Sequence, residues 1–133
     1  MALIMHTTNE VPGNLRTWFV VHFAADMLFA IPLMFFPEQF LQLFGWTVVD
    51  TVSARLVAAA LIGIGVESFL GRNAGIASFR TMLRLKALWS GSAIIGLTIS
   101  ILGGAPRGAW VFLAIFVAFF ALWFSKWLSL REP

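Results

Sequence analysis

The 133-residue chain has no cysteine and no tyrosine, and only 11% of its residues are charged. The missing cysteine excludes a disulfide scaffold, a cysteine-ligated zinc finger, an Fe–S cluster and thiol catalysis. Soluble domains carry about a quarter charged residues, so scarcity of charge excludes an ordinary water-facing surface and a disordered tail alike. In its place stand 60% hydrophobic residues, 14 Phe, 6 Trp and a mean hydropathy of +0.91. That composition belongs in a bilayer, where each crossing helix needs roughly 20 apolar residues.

Four apolar runs satisfy that length, over residues 15–36, 52–70, 82–102 and 109–130. The fold expected is all-α, a single membrane domain over 1–133 built as a four-transmembrane-helix bundle. Between the first two runs, Pro37 suits a helix start, and Glu38, Gln39 and Gln42 oppose Phe40, Leu43 and Phe44, which predicts a short interfacial helix. Gly103-Gly104-Ala105-Pro106 has the composition of a tight turn. Met1 to Asn14 has no basic leader pattern, so the first span is expected to stay in the mature protein.

An even number of spans puts both termini on one side. That side collects Arg16, Arg72, Arg80, Arg84, Lys86, Lys126 and Arg131, and the other only Arg55 and Arg107. The positive-inside rule makes the richer side cytoplasmic, with a bacterial inner membrane as the default host. The group Arg72, Arg80, Arg84 and Lys86 is read as topology-setting and as attracting anionic headgroups. Nucleic-acid binding is not expected, since the sequence reads as membrane spans and short connections with no soluble domain to carry it. Trp18 and Trp127 belong at one interface, Trp46 and Trp110 at the other.

The run Ile31-Pro32-Leu33-Met34-Phe35-Phe36-Pro37, then Leu43-Phe44-Gly45, then Ala54-Arg55-Leu56 through Gly63-Ile64-Gly65, resembles small uncharacterised four-helix bacterial integral membrane proteins. The resemblance covers about half of the chain and implies a fold and no activity.

Function is sought in residues that do not belong in lipid. His22, Asp26 and Glu67 fall within spans, where a charge at the helix centre costs about 2.5–3.5 kcal/mol on insertion scales. At about 1.5 Å per residue, His22 lies roughly 10 Å and Asp26 roughly 16 Å from the cytoplasmic entry, with Glu67 roughly 6 Å from the same face. Residues four apart share a helix face. The stripes so formed are Trp18, His22, Asp26 and Ala30; Arg55, Ala59, Gly63, Glu67 and Gly71; and Ser92, Gly96, Ser100 and Gly104. If the stripes meet, His22, Asp26 and Glu67 converge near Trp89, Ser90, Trp123 and Ser125.

Such a cluster fits three uses. The leading one is a pocket that binds or transports a small hydrophobic or cationic solute, in a homodimer. The second is a membrane-embedded acid/base enzyme on a lipid-soluble substrate: an isomerase, a cyclase or an epoxide-opening catalyst. The third is a non-catalytic subunit of a larger membrane complex, docked through its small-residue stripes. The bland alternative pairs Asp26 or Glu67 with His22, Arg55, Arg84 or Lys126 as structural glue. One His and two carboxylates show no zinc or di-iron spacing, so neither metal nor cofactor is expected. What fills the bundle is the discriminator. A wet cavity suits transport, an apolar pocket ending at carboxylates suits catalysis, and tight packing suits a subunit.

Overall fold

The structure is a computed structural model and describes residues 10–131; the expectation about a leader rests largely on residues outside that range. Among the described residues five helices follow in order: α1 (Gly13–Phe35), α2 (Pro37–Gln42), α3 (Thr51–Leu70), α4 (Ile76–Leu102) and α5 (Ala109–Leu130), with a 3₁₀ turn at Gly71–Asn73. There is no strand among the described residues. All but α2 are long and apolar enough to cross a membrane, so the bundle is the four-span membrane architecture that composition predicts.

Three spans begin and end within two residues of expectation, but α4 starts at Ile76 and not at Met82. The apolar run marks what lipid can cover, whereas the helix continues through polar turns. Starting after Gly75, it carries Ser78, Arg80 and Arg84 on its way in. Pro32 sits in the last turn of α1, which ends at Phe35. Pro37 then occupies the first turn of α2, where its missing N–H costs nothing.

The helices pack as two antiparallel pairs, α1 with α3 and α4 with α5. At the end that carries Gly13 and Leu130, the pairs are joined by a core of Leu15, Phe19, Phe79, Met82, Leu83, Ala87 and Trp123. The second core, Leu33, Ala54 and Ala58 with Phe40 and Leu41 packed on it, belongs to α1, α2 and α3 alone. The α4/α5 pair contributes nothing to it. At that end the halves meet through aromatic rings from the α2–α3 connection, with Phe44 and Trp46 placed 4.7 and 5.8 Å from Phe112 of α5. Between these two closures the pairs stand apart. Large apolar side chains such as Leu28, Leu56, Ile95 and Ile99 face outward, as a lipid-facing surface requires.

Helix carboxyl ends leave carbonyls without helical partners, and arginines fill that need here. Arg55 Nε donates to the Met34 carbonyl at the end of α1, at 3.0 Å. Arg72 Nη1 donates to Phe69 at the end of α3, at 2.6 Å, and Arg16 Nη1 reaches the Arg72 carbonyl beyond it, at 2.6 Å. Arg80 Nε donates to Leu130, closing α5. The end of α4 is closed by backbone, the Ala105 N–H donating to Ser100, in a turn that needs the positive φ of Gly104 (95°). Arg72 and Arg80 therefore secure the fold in addition to any headgroup role.

Candidate functional site: a buried Asp–His–Lys–Ser chain beneath an apolar cavity

His22 and Asp26 sit one turn apart on α1 and both are buried, Asp26 to 7% exposure. His22 Nε2 lies 3.4 Å from Asp26 Oδ1. The other ring nitrogen, Nδ1, is 2.6 Å from Nζ of Lys86 on α4, and Nζ is in turn 2.5 Å from Oγ of Ser68 on α3. Three helices thus supply one continuous polar chain. An ammonium can only donate, so with Lys86 charged Nδ1 accepts and the imidazole proton sits on Nε2, facing the carboxylate. Lys86 also lies over the rings of Phe19 and Trp123, at 4.6 and 4.9 Å. Its charge is shared among a nitrogen, a hydroxyl and two aromatic faces.

The rings of Phe119 and Trp123 on α5 cover His22, with centroids 4.8 and 5.0 Å away, and they stack on each other. Trp123, 1% exposed, is the largest fully buried side chain among the described residues. Ser90 is buried beside Lys86, but its hydroxyl donates to the Lys86 and Ala87 carbonyls of its own helix, at 2.7 and 3.3 Å. Asp26 Oδ2 is the exception. It is buried and has no hydrogen-bond partner among the described residues. Gly65 of α3 makes room for it: a Cβ there would stand 2.8 Å from Asp26 Cβ and 3.1 Å from Oδ2.

Above this chain, between the helix pairs, lies a cavity of about 680 Å³. His22, Asp26, Ser90 and Trp123 form its polar floor. Phe29, Leu61, Trp89, Phe112, Phe116 and Phe119 supply apolar walls, and Trp46 and Asp50 stand at the far end. Trp89 is therefore a wall residue, held edge-on to Phe116 with centroids 6.0 Å apart. Val57 and Gly96, exposed lining residues on α3 and α4, mark the seam where the cavity opens. A second, smaller cleft of about 260 Å³ lies on the same seam, with Glu67, Ser68, Met82 and Lys86 in its wall.

The six residues singled out from sequence thus divide. His22, Asp26, Ser90 and Trp123 come together, and Trp89 lines the space above them. Glu67 does not join: it is exposed, and on α3 the buried line is Ala54, Ala58, Leu61, Gly65 and Ser68. The Arg55–Gly63–Glu67 stripe faces outward because the buried surface falls on neighbouring positions, Ala54 beside Arg55 and Ser68 beside Glu67, each about 100° around the helix. Ser125 also points away, its hydroxyl donating to Leu122 in its own helix at 2.9 Å. Of the small stripe on α4, Ser92, Gly96 and Ser100 border the cavity.

Sequence reasoning misses Lys86 and Ser68. Lys86 stands among the topology-setting cations, yet it is 2% exposed. With the span started at Met82 it lies one turn inside the membrane; from Ile76 it is about 15 Å along the helix. One signal points to it. Lys86 and Ser90 continue the line Phe79, Met82, Leu83 at helical spacing, and all of these are buried.

No protein-family model, no curated protein and no solved structure matches this chain.

Proposed function

We propose that the protein is a membrane-embedded binding module, serving uptake or transport of a small, largely apolar solute with one polar, donor-bearing or cationic head. The whole chain would act as one membrane domain, in a bacterial inner membrane with both termini cytoplasmic. Burial of Lys86 leaves Arg16, Arg72, Arg80, Arg84, Lys126 and Arg131 for that side, and the asymmetry still favours this orientation.

The observation that carries the reading is an apolar cavity with Asp26 in its floor, one of whose carboxylate oxygens, Oδ2, is buried without a hydrogen-bond partner among the described residues. A buried polar atom without a partner is costly. A solute whose head donates to Oδ2 while its body lies against Phe112, Phe116 and Trp89 would offset that cost. A volume of about 680 Å³ is in the range of small-molecule sites, roughly 300–1,000 Å³. The subunit reading expects tight packing and has less support. The enzyme reading keeps one supporting observation: Lys86, His22 and Asp26 touch in series, so exchangeable protons lie at the cavity floor.

Native mass spectrometry of the protein extracted gently from its own membrane tests the proposal. The expected spectrum shows a retained small molecule that is absent from Gly96→Phe. Gly96 lines the cavity at the seam and a Cβ there meets no atom within 4 Å, so the substitution adds bulk at the cavity mouth without a clash at its first carbon. Ligand-free wild type bound to a second polypeptide would reject the proposal in favour of a subunit. A solute recovered in chemically altered form would turn it toward catalysis.

A further inference from the structure

We infer that the cavity takes up a monovalent organic cation in exchange for one proton, released from Lys86 into the cleft between α3 and α4. The inference rests on the binding reading above and specifies its solute class and its coupling.

The argument begins with charge. Taken with Asp26 ionised, Lys86 protonated and His22 neutral, the three form a balanced set: one negative and one positive group on either side of an imidazole whose Nδ1 meets Lys86 and whose Nε2 lies 3.4 Å from Asp26. Oδ2 is left over, buried against Gly65, and Asp26 itself lines the cavity. The aromatic walls favour a cation near their faces. Yet a cation at Oδ2 adds one uncompensated charge to surroundings in which each such charge is expensive. Among the described residues, only one group in contact with the set can cancel it by losing a proton.

Lys86 is that group, and it has an exit. The cavity and the cleft share the polar chain as a common wall: His22 and Asp26 border the cavity, Ser68 and Lys86 the cleft. The groups facing Lys86 are His22 and Asp26 from α1, with Ser68 from α3 and Glu67 beyond it in the cleft wall. From α5 the Trp123 ring faces it. When the cation settles on Oδ2, one Nζ–H bond breaks and its electron pair stays on nitrogen. The proton leaves to water in the cleft, directly or by way of Glu67. The remaining N–H bonds still serve His22 and Ser68, and the total charge of the site is the same before and after. Glu67, which the cluster itself leaves outside, thereby gains a role at the exit.

Calorimetry on the purified protein in buffers of different ionisation enthalpy tests this, with benzyltrimethylammonium as cation and neopentylbenzene as its uncharged counterpart. One proton released per benzyltrimethylammonium bound, and a Kd that falls about tenfold per pH unit over the exchange range, are the expected results. Neopentylbenzene should bind without release. Lys86→Met should bind the cation with no proton and no pH dependence, and release that persists in this variant would overturn Lys86 as the source; if it does not fold, Lys86→Arg, which keeps the charge and cannot release the proton near neutral pH, takes its place. Cation binding without proton release would overturn the exchange. Binding of neopentylbenzene only would overturn the cation and leave the apolar cavity standing, whereas binding of neither would remove the parent reading as well.

Discussion

Residue by residue, the site depends on one close approach. Asp26 has room on α1 only because α3 offers Gly65 opposite it. Gly65→Ala should push Asp26 and the end of Met27 aside, costing about 1–3 kcal/mol as an overpacked substitution. Two positions earlier the same change is free: a Cβ on Gly63 meets nothing within 4 Å, and helical Gly→Ala gains about 0.5–1 kcal/mol. Thermal unfolding in one detergent should therefore lower the Gly65→Ala midpoint and leave Gly63→Ala at or above wild type. Equal midpoints would refute the close packing. At this scale the sequence is half legible. The i, i+4 spacing exposes His22 and Asp26 because both lie on one helix. Lys86 and Ser68 complete the chain from two other helices, and which face of each turns inward depends on packing that no local pattern records. A shift of one residue separates Ser68, which is inside, from Glu67, which is not.

At the scale of elements, charges outside the core act on helix ends. Asp50 caps α3: Oδ1 accepts from the Val52 N–H at 3.1 Å and Oδ2 from the Ser53 hydroxyl at 2.5 Å. The Ser53 hydroxyl first, and the Val52 N–H second, hold the Asp50 carboxyl below its ordinary value near 3.8. A depressed carboxyl stabilises the folded helix end fully above that ordinary value and loses its contribution as pH falls through the lowered one. Hydrogen exchange corrected for intrinsic rates should find the first turn of α3 equally protected at pH 7 and pH 5. Asp50→Ala should lower that protection roughly two- to tenfold, and wild type should approach the variant only in strong acid. A variant protected like wild type at pH 7 would show that the cap contributes nothing. The spans themselves are legible because an apolar run of about 20 residues matches the thickness of a bilayer and exceeds what a small soluble core can bury. The start of α4 is not, since a helix outlasts the part of it that is hydrophobic.

For the whole molecule, the pairing of α1 with α3 and of α4 with α5 is beyond any one-dimensional reading, and the cavity with it. Emptiness between two pairs leaves no mark on either. The 27-residue length of α4 bears on that gap. At about 1.5 Å per residue it measures about 40 Å, against about 30 Å for the 20 residues of α3 and for a typical hydrocarbon core. Its first turns are polar and can stand in the headgroups; in a bilayer thinner than its apolar run, residues 82–102 or about 31 Å, α4 must lean to hide that run, and in a thicker one it can stand upright. Because α5 travels with it and α3 does not, leaning changes the width of the seam. Solute affinity should therefore differ between vesicles of short-chain and long-chain phosphatidylcholine, while Gly96→Phe abolishes binding in both. Equal affinities would mean that the pairs are locked together. Lipid chain length, which touches no residue of the site, would then set how readily a solute enters it.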